Sequence, residues 1–178
     1  GPGRPGASYA PRSRDCPGGA REPPTGGVVG RRGEDFSLDI EHAVAMIADV
    51  RPSVILLASP NNPTGTALSL EEIAAVADAA AEVPGGAVVV VDEAYAEFRR
   101  AGTPSALALV PRYPLLAVSR TMSKAFALAG GRVGYLAAAP EIVDALRVVR
   151  LPYHLSAVTQ AVARGALAHA DELLAQVD

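Results

Sequence analysis

The sequence predicts an α/β domain with a largely parallel sheet and helices on both faces. Three observations support this fold class: short apolar runs alternate with amphipathic helical patterns, the apolar runs carry no charge, and polar residues gather directly after them. Uninterrupted apolar runs are typical of parallel strands that are covered on both faces. With 178 residues, 49% of them hydrophobic, the chain has room for such a domain and its core.

The first 33 residues stand apart from this pattern. Gly and Pro supply 15 of them and no apolar period is present, so residues 1–33 are expected to be low-complexity and disordered or without a stable fold of their own. Six Arg against two acidic residues raise nucleic-acid binding as an alternative. The segment lacks interleaved aromatics and a helix-turn-helix pattern, so we expect no nucleic-acid partner and place the domain at residues 34–178.

The elements of the domain follow from local signals. Apolar runs predict four strands, at residues 53–58, 87–91, 115–118 and 133–138. Amphipathic spacing predicts helices at residues 38–50, 69–83 and 140–150, and from 156 to near the C-terminus. Asp39 is the expected N-cap of the first helix, and Ser69 with Glu72 forms a capping box for the second. In the third helix, Ile142, Leu146 and Val149 are expected to face inward.

Composition excludes several classes of protein. No apolar run approaches the roughly 18 residues that cross a bilayer and no signal-peptide pattern is present, so a cytoplasmic protein without a membrane partner is expected. Cys16 is the only cysteine, which excludes an internal disulfide. The histidines, His42, His154 and His169, lack neighbours at metal-ligand spacing, so no metal site is predicted.

Polar side chains follow three of the predicted strands. These residues are Asn62 after the first strand, Asp92 and Tyr95 after the second, and Thr121, Ser123 and Lys124 after the third. Right-handed crossovers bring the carboxyl ends of parallel strands to one edge of a sheet, where open α/β sheets bind ligands. The sequence therefore predicts a ligand site at this edge.

Lys124 is the only lysine among 16 basic residues, all the others being arginine. A lysine amine forms a Schiff base with an aldehyde, which a guanidinium does not. The alternative is a solvated surface lysine. Its place directly after a buried strand favours chemistry.

The other polar residues each have a structural alternative. Asp92 needs a partner at the mouth of an apolar strand, either a ligand's ring nitrogen or, as the alternative, a helix cap or a salt bridge with Arg120 or Arg132. Asn62 lies in a sequence that is a turn by every local rule. Thr121, Ser123 and Arg132 combine hydroxyls with a guanidinium, which suits a phosphate, and no Walker A or Gly-x-Gly-x-x-Gly motif competes for that role.

Three motifs carry a resemblance to a known family. Ser-Pro-Asn-Asn-Pro-Thr-Gly at 59–65, Asp-Glu-Ala-Tyr at 92–95 and Ser-Arg-Thr-Met-Ser-Lys-Ala-Phe-Ala-Leu-Ala-Gly-Gly-Arg-Val-Gly-Tyr at 119–135 resemble fold-type I aminotransferases, which use pyridoxal 5′-phosphate. The Arg-Thr-x-Ser-Lys-Ala-Phe string and residues 152–156 are most similar to the histidinol-phosphate aminotransferase subgroup. The resemblance covers residues 34–178 and implies part of the large, cofactor-binding domain.

The resemblance also implies a role for each site residue. Lys124 would hold the cofactor's aldehyde carbon and move the substrate's proton, and Asp92 would pair with the pyridinium nitrogen. The remaining residues would bind the phenolic oxygen (Asn62 and Tyr95) or the phosphate (Thr121, Ser123 and Arg132). The implied reaction exchanges the amino group of L-histidinol phosphate with 2-oxoglutarate in histidine biosynthesis, in a homodimer.

The chain also departs from the family. It has about half the expected length, without the upstream phosphate-binding loop, the aromatic that stacks on the ring, or the downstream substrate arginine. Gly131 replaces the Leu usual in the subgroup, and residues 1–33 look unlike the family, as a shifted reading frame would produce. Aromatic amino-acid aminotransferases and threonine-phosphate decarboxylases share the motifs. An inactive fragment and the ligand-sensing domain of a regulator are alternatives of another class.

Overall fold

The structure is a computed structural model that describes Gly30 and residues 32–177. The predictions for residues 1–29 and for Arg31, including Cys16, lie outside the described residues. Arg32 and Leu38 form an isolated antiparallel bridge that leads into the domain.

Five α-helices and four strands make up the described domain. The helices are α1 (Ile40–Val50), α2 (Leu70–Ala81), α3 (Pro140–Val149), α4 (Ala157–Ala168) and α5 (Ala170–Leu174). The strands are β1 (Val54–Ala58), β2 (Val88–Asp92), β3 (Leu116–Thr121) and β4 (Gly134–Ala138). Single 3₁₀ turns lie at residues 96–98, 106–109 and 129–131.

The four strands form one sheet in the order β1-β2-β3-β4. β1, β2 and β3 are parallel, which confirms the largely parallel sheet, whereas β4 pairs antiparallel to β3. The chain between β3 and β4 contains only the turn at 129–131 and no crossover helix, so β4 runs back along β3. The carboxyl ends of β1, β2 and β3 therefore meet at one edge, as predicted.

Both predicted helix caps are present. The Asp39 carboxylate accepts a hydrogen bond from the backbone N–H of His42 at 2.9 Å. Ser69 Oγ accepts from the Glu72 N–H at 3.1 Å, while the Glu72 carboxylate accepts from the Ser69 N–H at 2.6 Å. These contacts satisfy backbone donors that the first helical turn leaves unpaired.

The core lies between α1, α2 and one face of the sheet. Its members include Ile47 of α1, Ile73 and Val76 of α2, Val91 of β2 and Val118 of β3. Side chains alternate along each strand, so residues at every second position of β1, β2 and β3 face this core.

The opposite face of β1 differs from the sequence prediction. Leu116, Ala117 and Val118 of β3 are all at most 1% exposed, as expected for a strand covered on both faces. Leu56 of β1, by contrast, is 77% exposed, although its neighbour Leu57 is buried. β1 is an edge strand of the described sheet, and no described element covers that face.

The prediction that three residues of α3 face inward is also wrong in part. Ile142 is half-buried, but Leu146 is 42% and Val149 76% exposed. α3 contacts β4, but in the described part of the chain Leu146 and Val149 of its second half are left exposed.

Element ends differ by a few residues from the predictions. β3 continues past Val118 to Thr121 because β4 pairs with it as far as Thr121 opposite Gly134. α2 ends at Ala81, before Pro84, and the last predicted helix breaks at His169 into α4 and α5. Among the described residues, no helix is long and apolar enough to cross a membrane.

Candidate active site at the carboxyl edge of the sheet

The predicted site residues lie at or after the carboxyl ends of three strands, at one edge of the sheet. Asp92 is the last residue of β2 and Thr121 the last residue of β3, with Ser123 and Lys124 directly after it. Asn62 lies in the turn that follows β1. Because β1 and β2 pair from Val54↔Val88 to Ala58↔Asp92, their ends are level and their loops are neighbours.

Asn62, Tyr95 and Lys124 meet at this edge. The side-chain amide of Asn62 donates to the Tyr95 hydroxyl at 2.8 Å, although the two residues are 33 positions apart. The Lys124 Nζ lies 5.2 Å from the centre of the Tyr95 ring, within the range of a cation–π contact. The structure thus joins residues from three separate loops, and Lys124 remains exposed beside them.

The turn after β1 holds Asn62 in place. The Asn61 side-chain amide donates to Thr64 Oγ1 at 2.9 Å, and the Gly65 N–H donates to the Asn61 carbonyl at 2.7 Å. Gly65 has a φ of +70°, a left-handed conformation that glycine adopts without strain. At the base of the turn, the buried Ser59 hydroxyl accepts from the Leu68 N–H. The turn is therefore fixed by its own polar groups, which leaves the Asn62 side chain for Tyr95.

Asp92 is exposed at the end of β2 and is held from two sides. Its Oδ1 accepts from the Ala94 N–H at 3.0 Å and from the Ser119 hydroxyl at 3.3 Å. The salt bridge with Arg120 or Arg132 that the sequence left open is not among the described contacts: Arg120 pairs with Glu93, and Arg132 donates to the Ala129 carbonyl. Among the described contacts Oδ2 accepts no hydrogen bond, so one oxygen of this oriented carboxylate is available to a ligand.

Thr121 and Ser123 form a hydroxyl pair at the end of β3. Their side-chain oxygens are 2.8 Å apart, and the Ser123 N–H donates to Thr121 Oγ1 at 3.1 Å. Gly134 lies opposite Thr121, where a Cβ would come within 2.5 Å of the Arg120 carbonyl. Only glycine fits this close approach of β3 and β4.

Arg132 is less closely associated with these hydroxyls. Its φ is +49° and its guanidinium donates to the Ala129 carbonyl at 3.3 Å, while among the described contacts none joins it to Thr121 or Ser123. Arg132 is exposed and lies one residue before Val133, whose carbonyl accepts from the Met122 N–H. The two hydroxyls of the predicted anion site are therefore in contact with each other, whereas its arginine makes no described contact with either.

Sequence reasoning missed three residues that support the site. Ser119 holds Asp92, and Glu93 forms a buried ion pair with Arg120. The signal for Ser119 is the strand alternation, since it is paired with Asp92 in the β2–β3 register and both side chains leave the same face. The described residues contain no group of three or more His, Cys, Asp or Glu side chains able to hold a metal ion.

Comparison with known proteins adds independent information. The sequence profile of the family described as aminotransferase class I and II matches residues 26–178, starting eight positions before the domain boundary predicted at residue 34. Histidinol-phosphate aminotransferase of Frankia casuarinae is 64% identical over 151 residues, which are 85% of this chain and 38% of the relative. Histidinol-phosphate aminotransferase of Thermobifida fusca is 59% identical over 177 residues, 99% of this chain and 47% of the relative.

The Thermobifida alignment includes nearly all of residues 1–33, which were expected to lie outside the domain. Their low-complexity character and reading-frame origin stay predictions. The chain spans less than half the length of these two curated relatives.

A solved structure supports the fold. The histidinol-phosphate aminotransferase from Sinorhizobium meliloti, determined in complex with pyridoxal 5′-phosphate, superposes with a TM-score of 0.72 and 31% sequence identity. The superposition covers 82% of this chain and 38% of that one. The predicted fold class, part of a fold-type I large domain, is thereby confirmed.

Proposed function

The chain belongs to the aminotransferase class I and II family, and we propose on that basis that the full-length protein transfers the amino group of L-histidinol phosphate to 2-oxoglutarate, with pyridoxal 5′-phosphate as its cofactor. The observation that carries the proposal is the convergence of Lys124, Tyr95 and Asn62 beside Asp92 at one sheet edge.

The donor chemistry of this edge fits the cofactor. A primary amine, an oriented carboxylate with an available oxygen and a hydroxyl pair are the groups needed for an aldehyde, a ring nitrogen and a phosphate. We assign Lys124 to the aldehyde, Asp92 to the ring nitrogen, Asn62 and Tyr95 to the phenolic oxygen, and Thr121, Ser123 and Arg132 to the phosphate. When bound, the cofactor supplies an aldehyde that condenses with amines and a ring that accepts an electron pair.

The residues of this chain then have defined tasks. Lys124 would hold the cofactor covalently through Nζ, and the same Nζ would take the proton from the carbon that bears the donor's amino group. The Tyr95 ring and hydroxyl limit where Nζ can lie, because the ring faces the amine and the hydroxyl is fixed by Asn62. Asp92 would lie at the ring nitrogen, where its carboxylate would favour the protonated ring, the better electron acceptor.

The proposed substrate rests on the two relatives, both histidinol-phosphate aminotransferases at 59% identity or more. The test is a steady-state assay of the full-length protein with L-histidinol phosphate, L-phenylalanine or O-phospho-L-threonine. Glutamate formed from 2-oxoglutarate reports transamination, and released carbon dioxide reports decarboxylation. We expect kcat/KM for L-histidinol phosphate to exceed that for the other two by at least about 100-fold.

Two controls make the assay decisive. Lys124→Ala should abolish glutamate formation, whereas Arg147→Lys, on exposed α3, should leave it unchanged. A preference for phenylalanine, or carbon dioxide from phosphothreonine, would replace the proposed substrate. Absence of cofactor binding and of all three activities would contradict the proposal that the protein is an enzyme and would favour an inactive or ligand-sensing protein.

Assembly and location are part of the same proposal. We propose a cytoplasmic homodimer, as the resemblance to the family implies. Sedimentation of the purified full-length protein tests the dimer, and a single species of monomer mass would contradict it.

A further inference from the structure

Glu93 is a buried carboxylate directly behind the site. It follows Asp92 in the chain and, because side chains alternate, leaves the sheet on the opposite side. Only 2% of Glu93 is exposed. Its carboxylate accepts from the Ser105 hydroxyl at 2.8 and 3.0 Å, from the Ala106 N–H at 2.7 Å, and from Arg120 Nε and Nη2 at 2.9 and 2.7 Å.

Arg120 completes this buried network from the next strand. Its Nη2 also donates to the Ser105 hydroxyl at 2.9 Å, and its Nη1 lies 3.5 Å from the Glu97 carboxylate. Burial lowers the pKa of Arg120, but the hydrogen bonds and charge of Glu93 outweigh this effect and hold the pKa above its ordinary value. The guanidinium is therefore charged, and its Nε and Nη2 both donate to the same oxygen, Glu93 Oε2, which limits its direction as well as its distance. Arg99 adds a further cation 3.5 Å from Glu93.

The network joins the segments that carry the site residues. Glu93 adjoins Asp92 and begins the turn that contains Tyr95, while Arg120 adjoins Thr121 and the loop that contains Lys124. Replacing a buried ion pair with apolar side chains is often neutral or stabilising, so such a pair is weak evidence of a role in stability. What the two donors of Arg120 on one Glu93 oxygen do provide is a fixed relation between the ends of β2 and β3.

We propose that Glu93 and Arg120 are positioning residues, which hold the Asp92–Tyr95 segment and the Thr121–Lys124 segment in the relative placement that cofactor binding requires. The proposal rests on the proposed function for its consequence in catalysis. The geometric part of it applies to the protein without cofactor.

The first test measures hydrogen–deuterium exchange of the full-length protein without cofactor, wild type against Arg120→Lys. Lysine keeps the charge but has a single nitrogen in place of the Nε and Nη2 that donate together to Glu93. We expect exchange to accelerate by about tenfold in residues 92–96 and 119–124 and to stay unchanged in α1. Arg147→Lys is the matched control, since its ion pair with Asp144 is exposed on α3. Acceleration across the whole domain including α1, or none, would overturn the positioning role.

The second test measures cofactor binding and steady-state turnover in the full-length protein. We expect Arg120→Lys and Glu93→Gln to weaken pyridoxal-phosphate binding by about tenfold and to lower kcat more than KM, with a shifted midpoint pH of the visible absorption band. Binding, kcat and midpoint all equal to wild type would contradict the proposal. If the wild type itself binds no pyridoxal phosphate, the proposed function fails, and the exchange experiment still decides whether the pair positions the two segments.

Discussion

Individual residues at the sheet edge show how the site is specified. Lys124 was singled out because it is the only lysine, and the structure puts its amine 5.2 Å from the centre of the Tyr95 ring. Asn62 and Tyr95 were predicted from separate turns, and they form a hydrogen bond. The contacts of Ser119 with Asp92 and of Arg120 with Glu93 were not predicted, because they depend on which strands are neighbours as well as on the alternation along each strand.

Ser119 supports Asp92 and is absent from the sequence prediction. The Ser119→Ala variant lacks the hydroxyl that donates to Asp92 Oδ1, so the Ala94 N–H is the one described donor that remains to this oxygen. A lost hydrogen bond to a charged group costs about 1 kcal/mol or more, so we expect pyridoxal phosphate to bind about fivefold more weakly. The dissociation constant is measured from the visible absorbance of the full-length protein.

The control for this variant is Ser53→Ala. Ser53 is exposed just before β1, at the opposite edge of the sheet, so cofactor affinity should not change. Equal affinity of Ser119→Ala and wild type would show that the backbone alone orients Asp92.

Tyr113 offers a residue-scale test of the core. It is 9% exposed and its hydroxyl has no hydrogen-bond partner in the part of the chain that the structure describes. Tyr113→Phe removes this hydroxyl, so we expect the free energy of unfolding at pH 7 to rise by about 1 kcal/mol. Tyr153→Phe, at a 98% exposed position, should leave it unchanged. Urea unfolding measures both, and a less stable Tyr113→Phe would contradict the assignment.

The difference in stability between wild type and Tyr113→Phe should depend on pH. Burial raises the pKa of Tyr113, and the neighbouring Asp78 carboxylate adds to the rise. As pH rises through the ordinary tyrosine value of about 10, the unfolded chain loses the proton while the folded chain keeps it, so wild-type stability falls. Tyr113→Phe should lack this contribution, and its advantage over wild type should widen in that alkaline range. A constant difference would contradict the raised pKa.

Secondary-structure elements were predictable where their signals are local. α1 and α2 begin at their predicted caps, because Asp39, Ser69 and Glu72 act within four residues of themselves. The antiparallel direction of β4 and the extension of β3 to Thr121 were not predicted, since both come from pairing between segments. Pairing also explains Gly134, which the sequence shows only as a glycine in a motif.

Gly134 provides the test at the scale of these elements. Gly134→Ala would bring a Cβ within 2.5 Å of the Arg120 carbonyl, and a backbone atom cannot move aside without separating β3 from β4. We expect a loss of about 1–3 kcal/mol in the free energy of unfolding, with weaker cofactor binding because Thr121 is paired with this residue.

A second glycine separates this effect from the substitution itself. Gly165→Ala in α4 meets no atom within 4 Å and should be neutral or stabilising by up to about 1 kcal/mol. Urea unfolding of the full-length protein measures both variants. A Gly134→Ala protein as stable as Gly165→Ala would contradict the close strand approach.

At the scale of the whole molecule, the burial of apolar side chains is the property that the sequence predicted least well. The fold class followed from alternating patterns, but burial on α3 and on β1 did not, because exposure depends on what covers a face rather than on the face itself. Leu56, Val148 and Leu151 are each at least 77% exposed. A local apolar pattern indicates that a surface avoids water without showing which part of a protein covers it.

Two adjacent leucines test this distribution of burial in the 178-residue chain. Leu57→Ser introduces a cavity and a hydroxyl into the core and should cost at least about 3 kcal/mol. Leu56→Ser, on the open face of the same strand, should change the free energy of unfolding by less than about 0.5 kcal/mol and reduce the binding of a hydrophobic dye. Equal destabilisation by the two variants, measured by urea unfolding, would mean that the second face is covered too.

The central claim is that Lys124 bonds covalently to pyridoxal phosphate, and reductive trapping tests it most directly. The full-length protein is mixed with the cofactor, reduced with borohydride and digested with trypsin, which cleaves after arginine and unmodified lysine. We expect a peptide from Thr121 to Arg132, uncut at Lys124 and carrying the mass of the reduced cofactor. An unmodified peptide cut at Lys124, or a label on any other residue, would contradict it.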